Sequence, residues 1–110
     1  MRFTKKGNVY RAIRLTGIQN NILGVSFGET NEMKIIEWPT KSNETIQTSK
    51  KEIFEQVNSG LKSVNQSLGT NYKLSEVYFL PSDQPSNSVY KLLICKLIRH
   101  YHSNNKFEEI

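Results

Sequence analysis

A chain of 110 residues with 36% apolar content and a net charge of +5 suits one small domain spanning 1–110, with ends expected to fray near 1–7 and 104–110. The lone cysteine, Cys95, excludes a disulfide within the chain and a cysteine-based zinc site, and reads as a small buried apolar group. The longest apolar run, Tyr90–Ile98, is broken by Lys91 and Lys96 and falls well short of the roughly 18 residues that cross a bilayer.

No basic-then-apolar leader opens the sequence, so the expected compartment is the cytoplasm, with no membrane partner. Charge is distributed unevenly. Arg2, Lys5, Lys6, Arg11 and Arg14 all precede the first carboxylate, Glu29. Such a basic N-terminal third favours anionic partners, either nucleic acid or the acidic surface of a protein.

After the polar and basic start, Val9–Thr16 alternates, with Val9, Arg11, Ile13 and Leu15 on one side and Tyr10, Ala12 and Arg14 on the other. That period of two predicts a strand. Asn residues at 20 and 21 turn the chain after Gln19, and Ile22–Phe27 returns as the second arm of an antiparallel hairpin. Gly28–Asn31 turns again, and a third strand, Met33–Trp38, stops at Pro39. Thr40–Thr48 reads as a polar loop in which Glu44–Gln47 could supply a short fourth edge.

Ser49 and Glu52 form a capping box. Beyond it Ile53, Val57, Leu61, Val64 and Leu68 draw one apolar stripe down an otherwise polar helix, which Gly69 ends. Gly60, within the helix, points to a close approach to the sheet. Leu74–Leu80 is the next strand, stopped by Pro81. In the corner that follows, Ser82 and Asp83 are placed to accept amides of the last helix, and Pro85 suits its first turn. That helix carries Val89, Tyr90, Leu93, Ile94, Leu97, Ile98 and Tyr101, with His100 and His102 expected to cap its C-terminal end. The fold expected is α+β: an antiparallel sheet of four to five strands, order β-β-β-(β)-α-β-α, with two helices on one face.

Catalysis has little support, and neither a cofactor nor a metal site is expected. His100 and His102, two apart on a helix, diverge, and no glutamate stands where a metalloprotease helix needs it. A nuclease built on His100, Lys96 and Tyr101 fails for the same reason. Gly24 and Gly28 flank a strand and not a strand-to-helix turn, so they make no phosphate loop. Binding remains. Arg11, Arg14, Lys34 and Trp38 interleave cations with aromatic rings on sheet strands, as single-stranded nucleic acid binders do. In the competing expectation Tyr10 and Trp38 pack against the helices. The corner Pro81–Asn87, with Asp83 and Ser86, is the other candidate contact.

The same C-terminal segment carries a family resemblance. A strand ending in Pro81-Ser82-Asp83-Gln84-Pro85-Ser86, then Val89-Tyr90 opening a helix that closes in Ile98-Arg99-His100-Tyr101-His102, resembles small bacterial immunity proteins of contact-dependent growth inhibition systems. The resemblance implies a non-enzymatic inhibitor that binds one cognate toxin domain, often a nuclease, and blocks its active site. Inhibitors of nucleases are commonly acidic, whereas this chain is basic. Either the toxin presents an acidic surface, or Glu29, Glu32, Glu37 and Glu44 gather locally.

Overall fold

The computed structural model describes residues 1–15, 20–40, 46–83 and 88–110. Eight elements follow in chain order: β1 (Arg2–Lys6), β2 (Val9–Leu15), β3 (Asn20–Phe27), β4 (Lys34–Glu37), α1 (Lys50–Leu68), β5 (Leu74–Phe79), α2 (Val89–His102) and β6 (Glu108–Glu109). The strands form one six-stranded sheet in the order β4-β5-β3-β2-β1-β6.

The α+β class is as expected, but the sheet is mixed. β1, β2, β3 and β5 pair antiparallel, whereas β4–β5 and β1–β6 are parallel. The reason lies in the connection. α1 carries the chain back along the sheet between β4 and β5, and a strand that follows such a crossover runs parallel to the strand before it. β5 buries Leu74, Val77 and Phe79 and takes a place between β3 and β4, leaving β4, with exposed Lys34 and Glu37, on the edge.

Both ends of the chain take part in strand pairing. Gly7, at φ +59°, turns β1 back onto β2, a conformation that glycine adopts without strain. The last residues lie along β1, where the Ile110 amide donates to the Lys5 carbonyl at 3.0 Å. Phe107 fixes this tail by packing on Phe3 and on His100. The turn expected at Gln19–Asn21 is shifted: Asn20 and Asn21 belong to β3, and Gln19 lies outside the described residues. Of the suggested Glu44–Gln47 edge, 44 and 45 lie outside them too. Gln47 joins no strand and donates its amide to the Pro81 carbonyl at 2.9 Å.

One face of the sheet is covered. Ala12, Leu23, Val25, Val77 and Phe79 point the same way and meet Ile53, Val57 and Val64 of α1 and Tyr90, Leu93, Ile94, Leu97 and Ile98 of α2 in one buried cluster. Ser49 caps α1, its Oγ accepting the Glu52 amide at 3.2 Å, while the Glu52 carboxylate accepts the Ser49 hydroxyl at 3.5 Å and not its backbone amide, and Gly69 ends the helix at φ +66°. Gly60 is the contact point of the two helices and not of a helix with the sheet. A Cβ there would stand 2.9 Å from the Lys91 carbonyl, and Cys95 Sγ donates to the Gly60 carbonyl at 3.4 Å. Burial in this seam raises the Cys95 thiol pKa, against the pull of Arg99 and Lys91.

Candidate interaction face

The alternation that buries one face of the sheet exposes the other. Opposite the helices, register aligns Arg11 with Gly24, Gly24 with Tyr78, and Tyr78 with Ile36. The neighbouring rung aligns Ser26 with Glu76 and Glu76 with Lys34. Thr4 pairs with Arg11, and Lys6 with Val9, so Arg2 and Lys6 extend this surface, while Thr4, on the same side of β1, is itself fully buried.

Trp38 is its centrepiece. The backbone amide of Trp38 donates to the Phe79 carbonyl at 2.8 Å, extending the β4–β5 pairing one residue past the strand. Its ring stacks on Tyr78 at 5.7 Å between centroids and 21° between planes. Gly24 makes room for it, since a Cβ there would stand 2.9 and 3.0 Å from the indole carbons. Tyr78 is in turn held by donating to Glu76 Oε1 at 2.9 Å. Partial burial, that hydrogen bond and the Glu76 charge all raise the Tyr78 pKa, so the phenol stays neutral in ordinary buffers.

Cations frame this pair. Arg11 Nε donates to Thr4 Oγ1 at 3.0 Å, which aligns the guanidinium along the sheet and satisfies a fully buried hydroxyl. Arg2 binds Glu108 at 3.0 Å, an exposed ion pair that lowers the Glu108 carboxyl pKa through the hydrogen bond first and charge second. It is the only close ion pair among the described residues; Lys34 faces Glu76 across the β4–β5 register without forming one, and Lys6 and Arg11 add further positive charge. The surface therefore combines a stacked aromatic pair, aliphatic Val9, Ile13, Ile22 and Ile36, and an excess of positive charge.

The residues singled out in the sequence separate into groups. Arg11, Lys34 and Trp38 share the open face. Tyr10 packs toward α2, its ring 5.3 Å from that of Tyr101, whereas Trp38 does not pack against the helices. Arg14 lies across from Asn21, on the helix-side face, and is separated from Arg11 by the sheet itself. Asp83 closes the sheet end: its carboxylate accepts the Ile22 amide at 3.0 Å, and its carbonyl accepts the Thr48 hydroxyl at 2.9 Å. Any capping of the amides at 84–87, and with it Ser86 and Pro85, lies outside the described residues. α2 begins at Ser88, which has φ +65° and makes no side-chain cap.

The two histidines diverge as helical spacing requires, but neither caps the helix. His100 Nε2 meets the Lys106 carbonyl at 2.7 Å and its ring stacks on Phe3 at 3.9 Å, while His102 Nδ1 meets the Tyr72 hydroxyl at 2.8 Å. Sequence reasoning passed over Tyr78, Gly24 and Thr4. The available signal was register: once β5 lies beside β3, Tyr78 and Gly24 stand opposite each other. Among the described residues, no three His, Cys, Asp or Glu side chains gather as a metal site would need, and no helix is long and apolar enough to cross a membrane.

No family model, curated protein or solved structure matches this chain.

Proposed function

We propose that this protein is a cytoplasmic immunity protein that has no catalysis of its own and neutralises a cognate bacterial toxin domain by binding it. The open sheet face is the docking surface. The observation that carries this reading is the Trp38–Tyr78 stack, held on a helix-free face among Arg11, Lys34 and Lys6. Aromatic and arginine anchors in a partly desolvated setting are what dominate protein interfaces. The charge excess fits a toxin that offers an acidic surface, which is consistent with a basic inhibitor. A rigid sheet also reduces the ordering cost of association, because its backbone is already in place.

Co-expression with the toxin encoded beside it should yield a one-to-one complex and protect the cell. Trp38→Ala should weaken that complex by about 2 kcal/mol or more, roughly thirtyfold. Neither complex nor protection would refute the assignment.

A second reading is favoured by one specific feature, the placement of stacked rings and unpaired cations on the same face. In it the face binds single-stranded nucleic acid, with bases on Trp38 and Tyr78 worth about 1–3 kcal/mol each and phosphates along Arg11, Lys34 and Lys6. This reading predicts affinity for a short oligonucleotide that falls steeply between 50 and 200 mM salt, by roughly an order of magnitude or more. Binding of the toxin alone, with no salt-dependent oligonucleotide binding, selects the first reading.

A further inference from the structure

On the helix side of the sheet, away from Trp38, an aromatic cup sits at the margin of the main core, with Tyr10, Tyr72 and Phe107 packed against the core cluster and Tyr101 stacked on Phe27 at 4.4 Å. Its rings come from four elements of the sequence: Tyr10 on β2, Tyr72 just before β5, Tyr101 in the last turn of α2 and Phe107 in the C-terminal tail. Tyr10 lies 5.3 Å from Tyr101 and 5.0 Å from Phe107, and Tyr101 lies 5.7 Å from Tyr72, all three pairs edge to face. These rings line an open, shallow pocket of about 360 Å³, at the small end of the range of small-molecule sites.

The rim carries one cation, Lys5, among polar groups that can both donate and accept. Lys5 places its ammonium 5.0 Å from the centre of the Tyr10 ring, and Asn104 and Asn105 add two side-chain amides. His102 completes the rim, held by Tyr72 through Nδ1 with Nε2 as its remaining bonding atom. Among the described residues, no carboxylate side chain lines the cavity. Glu109 is aligned with Lys5 in the β1–β6 register, but it is exposed and outside the lining. A cationic guest is disfavoured, because the Lys5 ammonium already occupies the ring electrostatics that would hold it.

We infer that this cup binds a small anion bearing a planar ring, of the size of a nucleoside monophosphate. The ring sits among Tyr10, Tyr72 and Tyr101, where stacking and edge contacts are worth most. The anionic group meets Lys5 and the Asn104 and Asn105 amides, a charge-assisted arrangement stronger than any neutral pairing. Asn104 adopts φ +56°, a conformation asparagine tolerates, and this bend brings the tail over the cup. The site is separate from the open face and stands whether or not a toxin binds there.

Titration of the full chain with AMP, followed by amide and indole NMR shifts, tests the inference. Adenosine, inorganic phosphate and phenyl phosphate serve as parallel arms. Saturable shifts are expected at Tyr72, His102, Asn104 and Asn105, with Trp38 unmoved. Adenosine and phosphate alone should each bind at least about tenfold more weakly than AMP, since each lacks one of the two recognised groups. Phenyl phosphate matching AMP would define the ligand as an aryl phosphate in general; AMP exceeding it would define a nucleotide. Lys5→Met should cost about tenfold, and Glu109→Gln should tighten binding by about twofold, because it removes a competing charge. Tyr101→Phe keeps the ring and should keep the fold. The inference is overturned if AMP produces no saturable shifts in the cup, if its shifts map to Trp38, if phosphate alone binds as well as AMP, or if folded Lys5→Met binds AMP unchanged.

Discussion

The two faces of this sheet are built from the same strands, yet they obey different rules. On the helix side the central positions are decided by packing: Leu23, Val25, Val77 and Phe79 are fully buried in the cluster with both helices. On the open side Val9, Ile13, Ile22 and Ile36 are only half-buried, and their neighbours are an arginine, lysines and a stacked Trp–Tyr pair. The first face explains why the chain folds. The second contains groups that folding does not require, above all Trp38, and this makes it the candidate for recognition. The difference can be broken apart by mutation, because changes on one face should alter stability and changes on the other should alter binding.

The largest effect belongs to the core. Phe79→Ala should cost about 3–5 kcal/mol in denaturant unfolding, with binding per folded molecule unchanged. Gly60→Ala comes next. On an exposed helix this change stabilises by about 1 kcal/mol, but here the methyl group meets Ile94 and the Lys91 carbonyl, and a net loss of about 1–3 kcal/mol is expected. Gly24→Ala tests the open face from beneath. It should displace the indole of Trp38, cost about 1 kcal/mol, and shift the tryptophan fluorescence. Trp38→Ala should have the smallest effect on folding relative to its effect on partner affinity.

A pH experiment sharpens the same contrast. Tyr90 is fully buried, and its phenol pKa is pushed up to about 12, by burial first and by the nearby Asp83 charge second. The folded pKa lies above the unfolded value near 10, so the neutral phenol's contribution is complete below pH 10 and is lost as pH rises toward 12. Unfolding free energy of the wild type should therefore decline across that window, and Tyr90→Phe should flatten the decline. Tyr78, on the open face, shifts in the same direction but is far less buried, and Tyr78→Phe should change the alkaline limb less.

Period and caps made much of this fold legible in the sequence. The alternation in Val9–Leu15, the Ser49 cap and the α1 stripe all stand where the pattern put them. Partner order was not legible. Nothing local in Met33–Trp38 says that β5 will come between it and β3, yet that insertion makes the sheet mixed and sets Tyr78 beneath Trp38. The polar, acidic tail carries no strand pattern of its own; its two-residue pairing with β1 depends on Phe107 packing on Phe3 and His100, contacts remote in sequence. Arg11 and Arg14 differ by three positions, an odd number, so a strand must send them to opposite faces, and only Arg11 joins Trp38.

The most direct test of the open face is the affinity of the purified wild type and Trp38→Ala for the cognate toxin domain that the proposed function requires, each protein first shown to be folded by unfolding midpoint. A midpoint close to wild type and a Kd weakened about thirtyfold or more are expected if Trp38 anchors the partner. An unchanged Kd for folded Trp38→Ala, in a complex that forms normally, would contradict it.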